Sequence, residues 1–103
     1  MIQGQNRVNL EQRIVITGMG AVSPVGLNCR ETFNTLAEGK SGIARITSFD
    51  PSAISCQIAG EVKDYDPTNY IDRNMARRIG RYAQYSIAAT REALYQTGFD
   101  LYK

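Results

Sequence analysis

The side chains best suited to nucleophilic chemistry in this sequence are its two cysteines, Cys29 and Cys56. Cys29 falls in the first turn of a predicted helix, where free backbone amides and the helix dipole lower the pKa of a thiol. A cysteine nucleophile also needs a general base, and the chain contains no histidine. We therefore interpret Cys29 as a small structural residue and predict no catalytic residue in this chain.

Metal ligands and paired carboxylates are equally poorly represented. The two cysteines form no CxxC pair, and without histidine the usual zinc ligand sets are missing, so we predict no metal site. Asp64 and Asp66 flank Tyr65 and precede Pro67, which is typical of a solvated turn and not of a general acid and base. Because no secretion signal is visible, we expect both cysteines to be free thiols.

A glycine-rich loop invites comparison with a dinucleotide-binding fingerprint. Gly18 and Gly20 have the spacing of its first two glycines, but Ser23 stands where the third belongs and Pro24 interrupts the turn into the helix. No acidic residue ends a second strand about 20 residues later, as binding of a ribose 2′-hydroxyl requires. We predict an ordered structural loop and no cofactor.

Four arginines are crowded at the start of the longest predicted helix: Arg73, Arg77, Arg78 and Arg81. Positive charge at a helix N-terminus opposes the macrodipole, so we expect a compensating acidic group or anion. Arg77 and Arg81 are one turn apart and can face a single phosphate or acidic helix, with Arg78 beside them. The alternative is a solvated and partly paired surface, and the residues alone favour neither reading.

The elements that would position these residues begin with a short apolar run. Residues 13–17 are rich in β-branched side chains without polar alternation, which predicts a strand covered on both faces. After the glycine-rich loop, Asn28 is suited to cap a short amphipathic helix that begins at Cys29, with Glu31 reaching back. Gly39 predicts the end of that helix.

The middle of the chain predicts little regular structure. Residues 41–70 contain several glycines and prolines, which favour loops and short strands. Brief extended pieces are predicted at 57–59 and 61–62, on either side of a bend or bulge at Gly60.

The longest predicted element is a helix over residues 73–96. Asp72 is its N-cap and Gly98 its stop signal. Apolar and small side chains recur every three or four residues along one side, which indicates close packing against another element. The opposite, polar side is predicted to carry Arg77, Arg81, Gln84, Arg91 and Tyr95.

Composition restricts the class of protein. The chain has 103 residues, 43% of them hydrophobic and 21% charged, which is the balance of one globular domain or part of one. No apolar run approaches the roughly 20 residues needed to cross a bilayer, so we predict no membrane association. Residues 1–12 lack the apolar region of a signal peptide, and we predict a flexible leader there and a cytoplasmic protein. The net charge of +2 is too small to indicate nucleic acid binding.

Residues 13–26, with the sequence RIVITGMGAVSPVG, resemble the start of the β-ketoacyl-acyl carrier protein synthase II family, the 3-oxoacyl-acyl carrier protein synthases. The resemblance continues through Phe33, Leu36, residues 39–43, Phe49, Asp50, residues 59–62 and residues 77–85. It implies an α/β, thiolase-like fold in which two similar halves stack as an αβαβα sandwich. Residues 13–103 would form only the first part of the N-terminal half.

The resemblance also implies an activity. Members of this family are acyltransferases that load an acyl group from acyl carrier protein onto an active-site cysteine, decarboxylate malonyl-acyl carrier protein and join the two fragments. The reaction serves fatty acid or polyketide synthesis, and the enzymes normally work as homodimers. Their Cys-His-His residues come later in the chain, and neither Cys29 nor Cys56 matches the nucleophile's motif. We therefore expect this chain alone to be inactive without the remainder of the synthase.

One binding site is implied as well. Related synthases use basic residues at the start of the long helix to dock the acidic carrier protein and its phosphopantetheine phosphate, and Arg77 and Arg78 match those positions. Two other classes of protein stay open. A non-catalytic relative of the chain-length factors would share this segment, and a small binding module would use the arginine helix on an acidic partner.

Overall fold

The computed structural model describes residues 12–100, so almost all of the predicted leader at 1–12 lies outside the described residues. The elements of this part are, in chain order, α1 (Cys29–Ala37), β1 (Ile43–Arg45), β2 (Ile58–Gly60), α2 (Arg73–Arg78) and α3 (Arg81–Thr97). Short 3₁₀ turns lie at Pro51–Ala53 and Pro67–Asn69. None of the helices within 12–100 is long and apolar enough to cross a membrane.

Helix α1 forms where local capping signals predict it. Asn28 accepts a hydrogen bond from the backbone N–H of Glu31 at 2.8 Å, so the predicted start at Cys29 is confirmed. The Glu31 carboxylate reaches back to the N–H of Leu27 at 2.9 Å, which satisfies a second free donor before the first turn. Gly39 follows the helix with a left-handed backbone (φ 73°), a conformation that favours glycine and ends the helix as predicted.

The two strands form an antiparallel pair after α1. Ile43 lies opposite Gly60, Ala44 opposite Ala59, and Arg45 opposite Ile58. The extended piece predicted at 57–59 is therefore largely confirmed. The piece predicted at 61–62 is wrong, because the strand includes Gly60 and ends there.

A carboxylate closes the loop that follows β1. Glu61 accepts hydrogen bonds from the backbone N–H groups of Thr47 and Ser48, at 2.8 and 3.0 Å, and from the Thr47 hydroxyl at 3.0 Å. The backbone bond from Thr47 is the main cause that lowers the pKa of Glu61 to about 2. Glu61, the residue after β2, is thus a structural carboxylate that holds the residues following β1.

The glycine-rich loop packs directly on α3. A Cβ atom on Gly20 would lie 1.7 Å from the carbonyl oxygen of Ala89, and one on Gly18 would lie 2.3 Å from that of Ala93. Ala88, on the same helix, is 3% exposed. Because only glycine permits such a close backbone approach, the spacing of the two glycines serves helix packing. The predicted structural role of this loop has a direct physical reason.

The helix predicted over 73–96 is two helices in the structure, so that prediction is wrong in its first third. Asp72 caps α2 as predicted, accepting from a backbone N–H of the first turn at 3.0 Å. The helix is broken at Ile79, whose backbone is extended (φ −114°, ψ 147°), and at Gly80, a poor helix former. The second helix ends as predicted before Gly98, which is left-handed with φ 68°.

The buried strand predicted at 13–17 is not a strand among the described residues, and its side chains are not buried. Ile14 is fully exposed, Val15 is 66% exposed and Ile16 is 83% exposed. A strand exists only where a neighbour pairs with its backbone, and β1 and β2 pair with each other. Within residues 12–100 the apolar run therefore belongs to no sheet.

Candidate functional site

Three exposed arginines lie on either side of the junction between α2 and α3, and we call Arg77, Arg78 and Arg81 the arginine surface. Arg77 and Arg78 occupy the last turn of α2, and Arg81 is the first residue of α3. The prediction that all three belong to the first turns of one helix is therefore wrong. The extended backbone at Ile79 also removes the predicted one-turn relation between Arg77 and Arg81.

The break changes the electrostatic argument for the arginine surface. Arg77 and Arg78 lie at the negative end of a helix dipole, where positive charge is favoured, so no compensating anion is required there. Among residues 12–100, none of the three guanidinium groups forms an ion pair with a carboxylate. The surface thus offers uncommitted donors to an acidic partner.

A buried amide joins α2 to α3. The side chain of Gln84 belongs to a residue that is only 8% exposed, and its Nε2 donates to the carbonyl oxygens of Ala76 at 2.9 Å and Ile79 at 3.4 Å. Because the helix breaks after Arg78, these carbonyls lack the N–H partners that a continuous helix would supply. Gln84, a residue of α3, therefore caps the C-terminal end of α2.

An aromatic cluster supports the same junction. The Tyr65 hydroxyl donates to the backbone carbonyl of Gln84 at 3.0 Å. Its ring stacks on Tyr70, with centroids 5.8 Å apart, and meets Tyr85 edge-on at 4.9 Å. Burial is the main cause that raises the pKa of Tyr65, so it remains a neutral donor. The cluster fixes the chain before α2 against the first turns of α3.

The turn predicted at Asp64 and Asp66 is confirmed. Asp64 has a left-handed backbone with φ 58°, and Asp66 accepts from the N–H and hydroxyl of Thr68 at 2.9 and 2.6 Å. The side-chain bond from Thr68 is the main cause that lowers the pKa of Asp66. Within 12–100, no group of three or more Cys, Asp or Glu side chains is placed to hold a metal ion.

Cys29 lies at the start of α1, but its surroundings oppose thiolate formation. Its backbone N–H donates to Glu92 Oε1 at 2.9 Å, while Glu92 Oε2 accepts from the N–H of Ala21 at 2.9 Å. Burial first, and then the negative charge of Glu92, raise the pKa of the Cys29 thiol. These two effects outweigh the helix dipole, which would lower the pKa of the thiol. Through its two hydrogen bonds Glu92 also links the glycine-rich loop and α1 to α3. Both cysteines are free thiols, as expected.

An open cavity of about 610 Å³ borders the arginine surface at Arg81. Lys63 and Arg81 on its wall are matched by Glu61 and Asp64, so the formal charges of the wall cancel. Tyr85 is the aromatic residue among those that line the cavity. This balance favours no anion in the cavity, and the net positive charge of the junction is carried by Arg77 and Arg78, which do not line it.

Comparison with known proteins identifies the chain. The family model of the β-ketoacyl synthase N-terminal domain matches residues 11–102. The chain belongs to this family. The 3-oxoacyl-[acyl-carrier-protein] synthase 2 of Synechocystis sp. is 41% identical over 87 residues, which are 84% of this chain and 21% of the relative. The synthase 2 of Staphylococcus aureus (strain COL) is 41% identical over 90 residues, and that of Vibrio harveyi 42% identical over 91. These matches cover 87% and 88% of this chain, and 22% of each relative.

A solved structure of a ketosynthase/chain length factor has a similar fold. The structure of the ishigamide ketosynthase/chain length factor matches with a TM-score of 0.74 at 35% identity, covering 84% of this chain and 21% of that chain. The resemblance to β-ketoacyl synthases predicted from residues 13–26 is therefore confirmed. The fold of this chain is similar to that of the corresponding part of the ketosynthase/chain length factor. The chain spans about a fifth of the length of the relatives that it matches.

Sequence reasoning missed two of the residues that organise this region. The sequence pattern places Gln84 on the polar side of one long helix, and nothing in that pattern indicates that its amide is buried. Glu92 resembles any exposed helix carboxylate, yet it bonds two backbone amides that are distant in sequence. Ala89 and Ala93 are small residues of α3 that face the loop. They are the sequence signal from which the position of the loop near Glu92 could be predicted.

Proposed function

We propose that this sequence is the opening part of the N-terminal domain of a 3-oxoacyl-acyl carrier protein synthase. The observation that carries the proposal is the family match over residues 11–102, together with about 41% identity to synthases named for this activity. The whole enzyme is an acyltransferase of fatty acid or polyketide synthesis. Residues 13–103 form the start of a thiolase-like αβαβα sandwich, which assembles as a cytoplasmic homodimer.

The reaction of the whole enzyme divides into acyl transfer and condensation. An active-site thiolate takes the acyl group from its carrier-protein thioester, releasing the carrier thiol. Loss of CO₂ from malonyl-acyl carrier protein leaves a carbanion, which attacks the enzyme-bound thioester, forms the new carbon–carbon bond and expels the thiolate. The present residues supply no imidazole for these steps. Their part in the reaction is structural support and carrier-protein docking, so residues 1–103 alone are inactive.

We propose Arg77 and Arg78 as the carrier-protein docking site. Both side chains are exposed, unpaired among residues 12–100, and held at the end of α2. An acidic carrier protein with a phosphorylated prosthetic group is complementary to such a pair. Charge complementarity of this kind speeds encounter and sets register more than it adds affinity.

The test replaces Arg77 and Arg78 by Glu in the full-length synthase that carries this sequence. The apparent KM for acyl carrier protein substrates should rise about tenfold or more at low salt, because the charge of the docking surface is reversed. The matched control is Arg30→Glu/Arg91→Glu, which makes the same change of net charge at two exposed positions, one on α1 and one further along α3. An unchanged KM for the double variant at low salt rules the docking role out.

A chain-length-factor relative is the second candidate. It is favoured by one observation, the similarity to a solved ketosynthase/chain length factor. Incubating the full-length protein with radiolabelled acyl-acyl carrier protein separates the two. A synthase retains label on a cysteine and releases CO₂ from malonyl-acyl carrier protein, whereas a non-catalytic factor does neither.

A further inference from the structure

The side chain of Gln84 makes hydrogen bonds that the sequence pattern of α3 does not predict. The residue is one of the few in the described part that are less than a tenth exposed, and it is polar. Both hydrogens of an amide Nε2 are available, and the two acceptors are the carbonyls of Ala76 and Ile79, at 2.9 and 3.4 Å. A buried amide that donates twice to one end of a helix fixes that end in place.

Helix α2 depends on such external support. Six residues are far too few for a helix to be stable alone in water. Asp72 caps its first turn, and Gln84 binds its last turn, which carries Arg77 and Arg78. Tyr65 in turn donates to the backbone carbonyl of Gln84, so the amide projects from a braced position on α3.

We infer that Gln84 is a positioning residue for carrier-protein docking: its amide holds the end of α2 on α3, so that Arg77 and Arg78 present a fixed pattern of charge. The inference rests on the proposed function. Without the amide, the last turn of α2 frays and the two guanidinium groups sample many positions. Electrostatic register with an acidic partner is then lost although both charges remain.

Hydrogen exchange tests the structural half in the full-length synthase. Gln84→Met keeps the shape and removes the donors to the two carbonyls. The backbone N–H groups at the end of α2, those of Arg78 and of Ile79, which bonds the Met75 carbonyl, should then exchange about tenfold faster, the effect of losing one net hydrogen bond. The control is Gln96→Met, the same change near the other end of α3, which should leave these amides unchanged. Gln84→Asn withdraws the amide by one methylene and replaces the Met variant if that is insoluble. Unchanged exchange in the Gln84 variant overturns the inference.

Kinetics test the docking half. Gln84→Met should raise the apparent KM for acyl carrier protein about three- to tenfold with kcat unchanged, and should have no further effect in an Arg77→Gln/Arg78→Gln background. An equal increase in both backgrounds means that Gln84 does not act through the arginines and overturns the inference. If the arginine variant itself leaves KM unchanged, the docking proposal fails, and the docking half of this inference fails with it. The exchange result then still decides whether Gln84 holds α2.

Discussion

Replacing Gly20 by Ala should detach the glycine-rich loop from α3. The added Cβ would lie 1.7 Å from the carbonyl oxygen of Ala89 and 2.5 Å from its carbonyl carbon, both of them backbone atoms that no rotamer change can move. The loop or the helix must shift by roughly 2 Å to restore ordinary contact. Gly18 lies under the same restriction, 2.3 Å from the carbonyl oxygen of Ala93, so the loop has little freedom to adjust.

The magnitude follows from what this shift breaks. The backbone amides on either side of Gly20 donate to α3, Met19 to Gln96 at 2.7 Å and Ala21 to Glu92 at 2.9 Å. A displacement of about 2 Å takes both bonds beyond hydrogen-bonding distance. Overpacking and the loss of one neutral and one charge-assisted bond together cost about 3–5 kcal/mol.

The assay is amide hydrogen exchange at Met19 and Ala21 in the full-length protein. A loss of about 3 kcal/mol corresponds to exchange more than a hundredfold faster. Gly39→Ala is the matched control, because its left-handed backbone costs about 1–2 kcal/mol for alanine while nothing lies within 4 Å of the new Cβ. If Gly20→Ala leaves the exchange of both amides as slow as in Gly39→Ala, the packing argument for the loop is refuted.

Three further predictions concern individual polar contacts. Glu92→Gln removes a negative charge that raises the pKa of Cys29, so iodoacetamide should alkylate Cys29 faster at mildly alkaline pH. The rate at exposed Cys56 should stay the same, and a slower rate at Cys29 contradicts the prediction. Glu61 has its pKa lowered from 4.5 to about 2, so its bonds stabilise the strand pair fully above pH 4.5 and are lost as the pH falls through 2. In Glu61→Gln, protection of the loop amides should no longer fall over that range, and an unaltered pH profile would count against the assignment. Asn28→Ala should cost about 0.5–2 kcal/mol at the start of α1, read as faster exchange of the capped amide, with no change in α3.

Helix ends were predictable from the sequence because their causes are local. Asn28 and Asp72 each bond a backbone amide three residues ahead, and the conformations of Gly39 and Gly98 follow from the missing side chain. A capping bond of this kind needs no distant part of the chain. The residue types and their spacing therefore suffice to place the ends of α1, the start of α2 and the end of α3.

The break at Ile79 and the fate of residues 13–17 were not predictable in the same way. Periodicity continues through Ile79, and a single Gly80 is tolerated inside many helices, so the pattern favoured one helix. What stabilises the break is the Gln84 amide, a contact that depends on how α2 packs on α3. The apolar run at 13–17 has the composition of a buried strand, but pairing depends on neighbours that composition does not specify.

The same distinction holds for the candidate site, where the charges were predictable from the sequence and their positions were not. The arginines themselves were identified from the sequence, since a cluster of exposed positive charge is a property of residue type and spacing. Their relation to one another was wrong, because a backbone break moves Arg77 and Arg78 from the unfavourable end of one helix to the favourable end of another. The puzzle of uncompensated charge at a helix N-terminus then disappears for two of the three residues. The structure therefore poses no electrostatic problem for Arg77 and Arg78. It requires instead that the six-residue helix α2 be held in place, and the buried amide of Gln84 does this through its two hydrogen bonds.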